Sequence, residues 1–308
     1  MGEGLYEQFE AARRCYFDVE ARTGLSTTRL LRADTPDDDG RPRGIGAIRQ
    51  TALAFAAHDV LADFGITPSV LSGLSLGALV SAGLAGSITR AELLDLLMRA
   101  REVPVLPEDG RQQAVATIAV PVRAPLSDYQ GAAAGGVYLA GDLGPIGPGE
   151  RRLLVLSGHH DAVRRLPELF PEDRVTPLGG GGPAVHSPLQ GHLATALRPH
   201  IERLDFHDPV VPICSCLEAK VLRTGDQVRD AFLRNSTSPV SVPHMHAGLE
   251  ETGAELGVVV GPSRFDRYLS VPFPVVHVEE PEHVRETLSV IHELGVDTSG
   301  DTAATGTR

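Results

Sequence analysis

Three cysteines, Cys15, Cys214 and Cys216, are all that 308 residues provide. So odd and sparse a set excludes a disulfide framework and reads as a protein of the reducing cytoplasm. Cys214-Ser215-Cys216 sits in an apolar run with strand-like alternation. Without a second ligand pair nearby it gives no metal site. Long apolar runs are also missing, and none approaches the roughly 20 residues that cross a bilayer. The opening Met1-Gly2-Glu3-Gly4-Leu5-Tyr6-Glu7 lacks the basic-then-apolar order of a signal peptide. Positive charge is short as well. Lys and Arg total 28 against 40 Asp and Glu, a net charge of −12, which excludes a nucleic-acid binder that uses the whole surface. Lys220 is the only lysine. Arginine is therefore the default cation, and a single arginine carries little weight. Abundant Ala, Gly and Pro beside it suggest a GC-rich bacterial genome. What remains is 42% hydrophobic with a mean hydropathy of −0.03, enough for a full core in one large domain or two unequal ones.

Hydrophobic spacing predicts helices over 3–23, 45–64 and 89–101, with a polar loop at 33–44. A short strand over 66–72 precedes the second of two turns, so strand, turn and helix alternate. That order argues for a parallel sheet covered by helices. Residues 114–184 differ: strands at 114–122, 137–140, 153–157 and 175–178 surround one helix at 161–170, and Gly/Pro-rich joins end in Gly179-Gly180-Gly181-Gly182. This reads as an inserted α+β subdomain with the glycine run as its exit hinge. From 186 onward the pattern predicts a helix over 189–201, a strand over 210–216, a helix over 225–234 capped by Thr224, and a buried strand at 258–260. Residues 297–308 read as a disordered polar tail.

Gly73-Leu74-Ser75-Leu76-Gly77 is the segment with the most chemical content. It reads Gly-x-Ser-x-Gly between a strand and the small apolar run Ala78 to Leu84, the setting a nucleophile elbow requires. The glycines permit the sharp turn, and helix amides beyond it can hold an oxyanion. Serine needs a base. Among twelve histidines, His159, His160, His244 and His246 fall in polar, turn-like surroundings. His186 alone stands at the subdomain's exit, where a loop can fold back over the sheet edge to which the elbow points.

The run from Gln50 through Gly65-Ile66-Thr67-Pro68 to the elbow resembles the malonyl-CoA:acyl carrier protein transacylases and the related polyketide synthase acyltransferase domains. His186-Ser187-Pro188-Leu189, Phe206 to Ile213, Thr224 to Val240 and Val260-Gly261-Pro262-Ser263 resemble further blocks of that family, in the same order. The resemblance implies a hydrolase-like parallel sheet flanked by helices, over 1–113 and 185–296, with a small ferredoxin-like α+β subdomain inserted at 114–184. It implies Ser75 as nucleophile, His186 as base, the Leu76 N–H as an oxyanion donor, and Asn235 orienting the histidine through its carbonyl. The implied activity transfers an acyl group from acyl-CoA or another carrier, through the serine, to the phosphopantetheine thiol of an acyl carrier protein, with no cofactor. Two alternatives stay open: a hydrolase that clears acyl groups from carriers, and a decayed homologue that only docks them.

Three departures from the family bear on substrate. The family opens with a strand ending in Phe-Pro-Gly-Gln-Gly, whose glutamine completes the oxyanion hole. This sequence starts just after that point, which leads us to expect upstream residues in the natural chain. The arginine that holds a malonyl carboxylate falls at Ala100 without a gap, with Arg99 the possible carboxylate contact and Arg101 on its other side. The family histidine beside the nucleophile is Leu74, and a polar segment of the small subdomain reads Gly141-Asp142-Leu143-Gly144. The expectation is an acyl group other than malonate. Arg151, Arg152, Arg164, Arg165, Arg264 and Arg267 are candidates for a basic patch that docks an acidic carrier.

Overall fold

A computed structural model describes residues 1–32, 41–131, 135–147, 149–179, 182–261, 271, 273–296 and 298. Most of the loop at 33–44, Gly180 and Gly181, Pro262 and Ser263, Arg264 and Arg267, and the 297–308 tail apart from Thr298 lie outside the described residues.

The N-terminal helical region divides into α1 (Glu3–Gln8) and α2 (Glu10–Thr23). Phe9 between them is extended, and its ring packs edge-on against Phe64 at 6.0 Å. Next come α3 (Thr27–Leu31), α4 (Gly46–Asp63), β1 (Leu71–Ser72), α5 (Leu76–Leu84) and α6 (Arg90–Glu102). α4 buries Ile48, Ala52, Phe55, Ala56 and Val60 and runs through the main core, in contact with α2, α5 and α6. A helix apolar on most of its circumference is stable only when surrounded in this way. β1 is shorter than the expected 66–72, because Pro68 offers no N–H to a ladder and the chain bends at Ser69 and Val70.

The middle of the chain supplies β2 (Gln113–Pro121), β3 (Tyr138–Ile146), β4 (Arg151–His159), α7 (His160–Arg164), α8 (Leu166–Leu169) and β5 (Arg174–Pro177). The single helix expected at 161–170 is two, since Pro167 stands in the first turn of the second. Then follow α9 (Gly191–Ile201), β6 (Ile213–Cys214), β7 (Val221–Leu222), α10 (Gly225–Arg234), β8 (Val240–Ser241), α11 (Val242–Glu251), β9 (Gly257–Val260), β10 (Val275–Val278) and α12 (Pro281–Leu294). β6 replaces the longer strand expected at 210–216. Pro212 precedes it, and after it the Ser215 hydroxyl accepts from the Leu217 N–H at 3.1 Å, which turns the chain into a hairpin with β7. α10 begins where expected, with Thr224 and Gln227 forming a reciprocal capping box.

Among the described residues the parallel sheet appears as two pieces, β1 with β6 and β9 with β10, with helices against them. The second sheet runs β5-β2-β4-β3-β8 and is antiparallel except where β8 joins β3. β8 comes from residues 240–241, so this layer is closed by a strand from beyond 184. The fold is thus α/β, with an antiparallel layer packed beside the parallel strands. Among the described residues no helix is long and apolar enough to cross a membrane.

Candidate active site

β1 ends at Ser72, and after three intervening residues α5 begins at Leu76. Ser75 is forced into φ 54°, ψ −112° between them, a conformation that costs a non-glycine residue about 1–3 kcal/mol. The turn is too tight for a side chain at position 73. A Cβ there would lie 2.6 Å from the Gly77 carbonyl oxygen. The turn is closed by the Gly77 N–H donating to the Leu74 carbonyl at 2.8 Å and the Ala78 N–H donating to the Ser75 carbonyl at 3.1 Å. Leu76, as the first residue of α5, has an N–H with no carbonyl behind it in the helix, beside the Ser75 hydroxyl and at the positive end of the helix dipole.

His186 reaches this hydroxyl from the loop between β5 and α9. Its Nε2 lies 2.8 Å from Ser75 Oγ, and its Nδ1 lies 2.8 Å from the Asn235 carbonyl. A carbonyl can only accept, so Nδ1 carries the proton and Nε2 presents a lone pair to the serine. Burial pushes the imidazole pKa down; the carbonyls of Asn235 and Ser238 push it back up, and the balance stays below the usual histidine value. The ring is therefore neutral at neutral pH and free to accept a proton. Like Ser75, His186 holds a positive φ, 53°. They are the only non-glycine residues with that backbone among the described residues. Strain confined to two residues that share a hydrogen bond marks a pre-organised pair.

Asn235 stands just beyond α10. Its main-chain carbonyl accepts from the imidazole, while among the described residues its buried side-chain Oδ1 has no hydrogen-bond partner. The Ser238 carbonyl helps to push the imidazole pKa up, a contribution that residue type alone does not signal. Cys216 is a second neighbour that the sequence marks only as a strand cysteine. Burial pushes its thiol pKa up, and a hydrogen bond from the Ser75 backbone only partly offsets this, so it stays a protonated packing residue. A cavity of about 20 Å³, lined by Ala78, Leu79, Cys216, Phe232 and Asn235 among others, separates α5 from α10.

The other expected residues lie elsewhere. Arg99 is exposed in the last turn of α6. Helical spacing puts it on the outward face shared with Glu92, Asp95 and Glu102, and Asp95 is paired there with Arg22. Arg101 is buried, with Nε donating to the Arg43 carbonyl at 3.2 Å. Neither makes a described contact with Ser75 or His186. Leu74 packs with Leu143, Val242 and Met245 in a small apolar cluster. His159 and His160 lie at the β4–α7 junction, and His244 and His246 lie on α11, so these four are in regular elements and not in turns.

No model of a known protein family matches the chain. Individual proteins do. It is 27% identical over 275 residues to the spectinabilin polyketide synthase system protein NorB of Streptomyces orinoci, covering 85% of this chain but only 12% of that protein's length. It is 24% identical over 306 residues to the malonyl CoA-acyl carrier protein transacylase of Bacillus subtilis (strain 168), covering 95% of this chain and 93% of that protein. A malonyl transacylase solved in complex with a type II polyketide acyl carrier protein superposes with a TM-score of 0.77 at 21% identity, over 93% of this chain and 94% of that one. At that identity the likeness shows the fold. The chain is thus similar, at 24% and 27% identity, to a malonyl CoA-acyl carrier protein transacylase matched over 93% of its length and to a polyketide synthase protein of which it spans 12%.

Proposed function

We propose that the chain is an acyltransferase that works by a ping-pong route. The Ser75 hydroxyl attacks an acyl thioester while its proton passes to His186 Nε2. The oxyanion that forms is held by the Leu76 N–H, and the thiol leaves with the proton that His186 returns. The phosphopantetheine thiol of an acyl carrier protein then attacks the ester carbonyl as His186 takes its proton, the Oγ–acyl bond breaks, and His186 returns the proton to Ser75 Oγ. The observation that carries the reading is the relay from Ser75 Oγ through the imidazole to the Asn235 carbonyl, both links 2.8 Å long.

The acyl group we infer is uncharged. A malonyl carboxylate needs a cation beside the serine. Arg99 faces outward, Arg101 is turned to the Arg43 carbonyl, and the nucleophile's neighbour Leu74 lies in an apolar cluster. For carrier docking, Arg151 and Arg152 are spent on Asp173 and Asp142. Arg164 and Arg165 stay exposed on α7 and just after it, and we infer that they meet the acidic carrier.

Intact-mass measurement with acetyl-, butyryl- and malonyl-CoA tests both parts. The expected result is an acyl adduct, absent in Ser75→Ala, that forms faster from the uncharged donors and is discharged by holo carrier protein. An adduct that survives Ser75→Ala defeats the mechanism. A malonyl adduct formed fastest, and slowed by Arg99→Ala, defeats the acyl assignment alone. Release to free acid as fast without the carrier as with it makes the protein a hydrolase.

A further inference from the structure

The loop that carries His186 is tied down by buried side chains, two of them from the antiparallel layer. The Ala184 N–H donates to Gln113 Oε1 at 2.7 Å, and Gln190 Nε2 donates to the same oxygen at 3.1 Å. Ser157 Oγ donates to the Val185 carbonyl at 3.0 Å, and Ser187 Oγ to the Ala184 carbonyl at 2.6 Å. Gln113 and Gln190 are 2% exposed, Ser157 and Ser187 0%. Gln113 opens β2, and Ser157 lies near the end of β4. The two residues just before the histidine are therefore gripped by side chains of the antiparallel layer.

The position of these bonds gives them their meaning. The Val185 carbonyl belongs to the peptide unit that joins Val185 to His186. Fixing that plane fixes one side of the rotation that defines φ at His186, which stands at 53°. A strained φ persists only where its surroundings over-determine it. Polar side chains inside an apolar layer are costly unless bonded, and Gln113 Nε2 has no hydrogen-bond partner. The contribution of Gln113 thus runs through Oε1, and among the described residues Oε1 bonds only to the histidine loop and its continuation.

We propose that Gln113 and Ser157 are positioning residues for the base, holding Ala184 and Val185 so that the left-handed His186 presents Nε2 to Ser75. The inference rests on His186 being that base. It makes the antiparallel layer part of the catalytic geometry, because a shift of β2 or β4 relative to β1 moves the imidazole off the hydroxyl.

A double-mutant cycle on the full chain tests it, with the rate of Ser75 labelling by a fluorophosphonate as the readout, which needs no knowledge of the acyl group. Gln113→Met and Ser157→Ala are each expected to slow labelling by about tenfold or more, since small displacements of a reacting group are costly. In a His186→Ala background neither is expected to slow it further, because residues that act through one group are not additive. Labelling within twofold of the parent, or the same proportional loss with and without His186, overturns the proposal. The second pattern is what a merely structural role produces. If Gln113→Met does not fold, the Ser157→Ala cycle alone decides by the same two criteria. If His186→Ala by itself labels as fast as the parent, the base assignment fails and takes this inference with it.

Discussion

Replacing Asn235 by alanine separates a carbonyl that orients the imidazole from a side chain that does so. The His186 Nδ1–H donates to the Asn235 main-chain carbonyl, and among the described residues Oδ1 makes no hydrogen bond. Asn235→Ala keeps the acceptor in place and removes a buried oxygen without a partner, which costs nothing in lost bonding and relieves a desolvation penalty. The truncation enlarges a cavity of about 20 Å³, a packing loss of about 1 kcal/mol or less for so small a side chain. The expected change in acyl-enzyme formation is within about threefold, or about 0.7 kcal/mol of barrier. Were the side chain the orienting group, losing a hydrogen bond to a buried ring would cost about 1–3 kcal/mol, fivefold to more than a hundredfold, and an essential triad partner costs about 10⁴. Single-turnover acylation followed by quenched intact mass across a pH series makes the measurement, with His186→Ala as the control for complete loss. A drop beyond about thirtyfold, at an unchanged melting temperature, would refute the reasoning.

Gly73→Ala is expected to disrupt the elbow, because the new Cβ has only 2.6 Å to the Gly77 carbonyl oxygen. Fluorophosphonate labelling of Ser75 should fall about a hundredfold, and normal labelling would mean the turn is looser than described. The acid limb of the acylation rate should have its midpoint below 6.5, since burial lowers the His186 pKa from that value and the competent neutral ring persists into mild acid. The same depression makes stability decline as pH falls from the unfolded value toward the folded one, where an unfolded chain binds the proton and the folded one does not. A midpoint above 6.5 contradicts the assignment. Arg90→Met removes a bidentate pair to Asp59, with bonds of 2.7 and 2.6 Å, and a guanidinium 4.7 Å from the centre of the Phe55 ring. Burial alone would raise the Asp59 pKa, but the bonds from His58 and Arg90 hold it at about 2 against 3.8. Because His58 keeps its share of that effect, the loss should be about 1 kcal/mol in urea unfolding at pH 7. In the parent that stability is present above pH 3.8 and disappears as pH falls toward 2, so a mutant cost below about 0.5 kcal/mol would contradict it.

Sequence pattern locates an element well when the start and stop are written in residue types. α10 is legible because Thr224 and Gln227 cap it, and α6 because its apolar residues keep helical spacing to Leu97. α11 and α12 are not legible from hydrophobic spacing, although Pro243 and Pro281 stand in their first turns. The short strands β1 and β6 are bounded by Pro68 and Pro212, where missing N–H groups end the ladders earlier than hydrophobicity suggests. The site divides the same way. Ser75 and His186 were legible because a hydroxyl between glycines and an imidazole are chemical types with few other uses in those contexts. What holds them is written in main-chain atoms: the carbonyls of Asn235 and Val185 and the N–H of Ala184. Any residue supplies those atoms, so no residue type marks them. Gln113 and Ser157 were invisible because each is a single polar residue in an apolar strand, and a strand pattern gives it no partner until the fold brings the histidine loop against it.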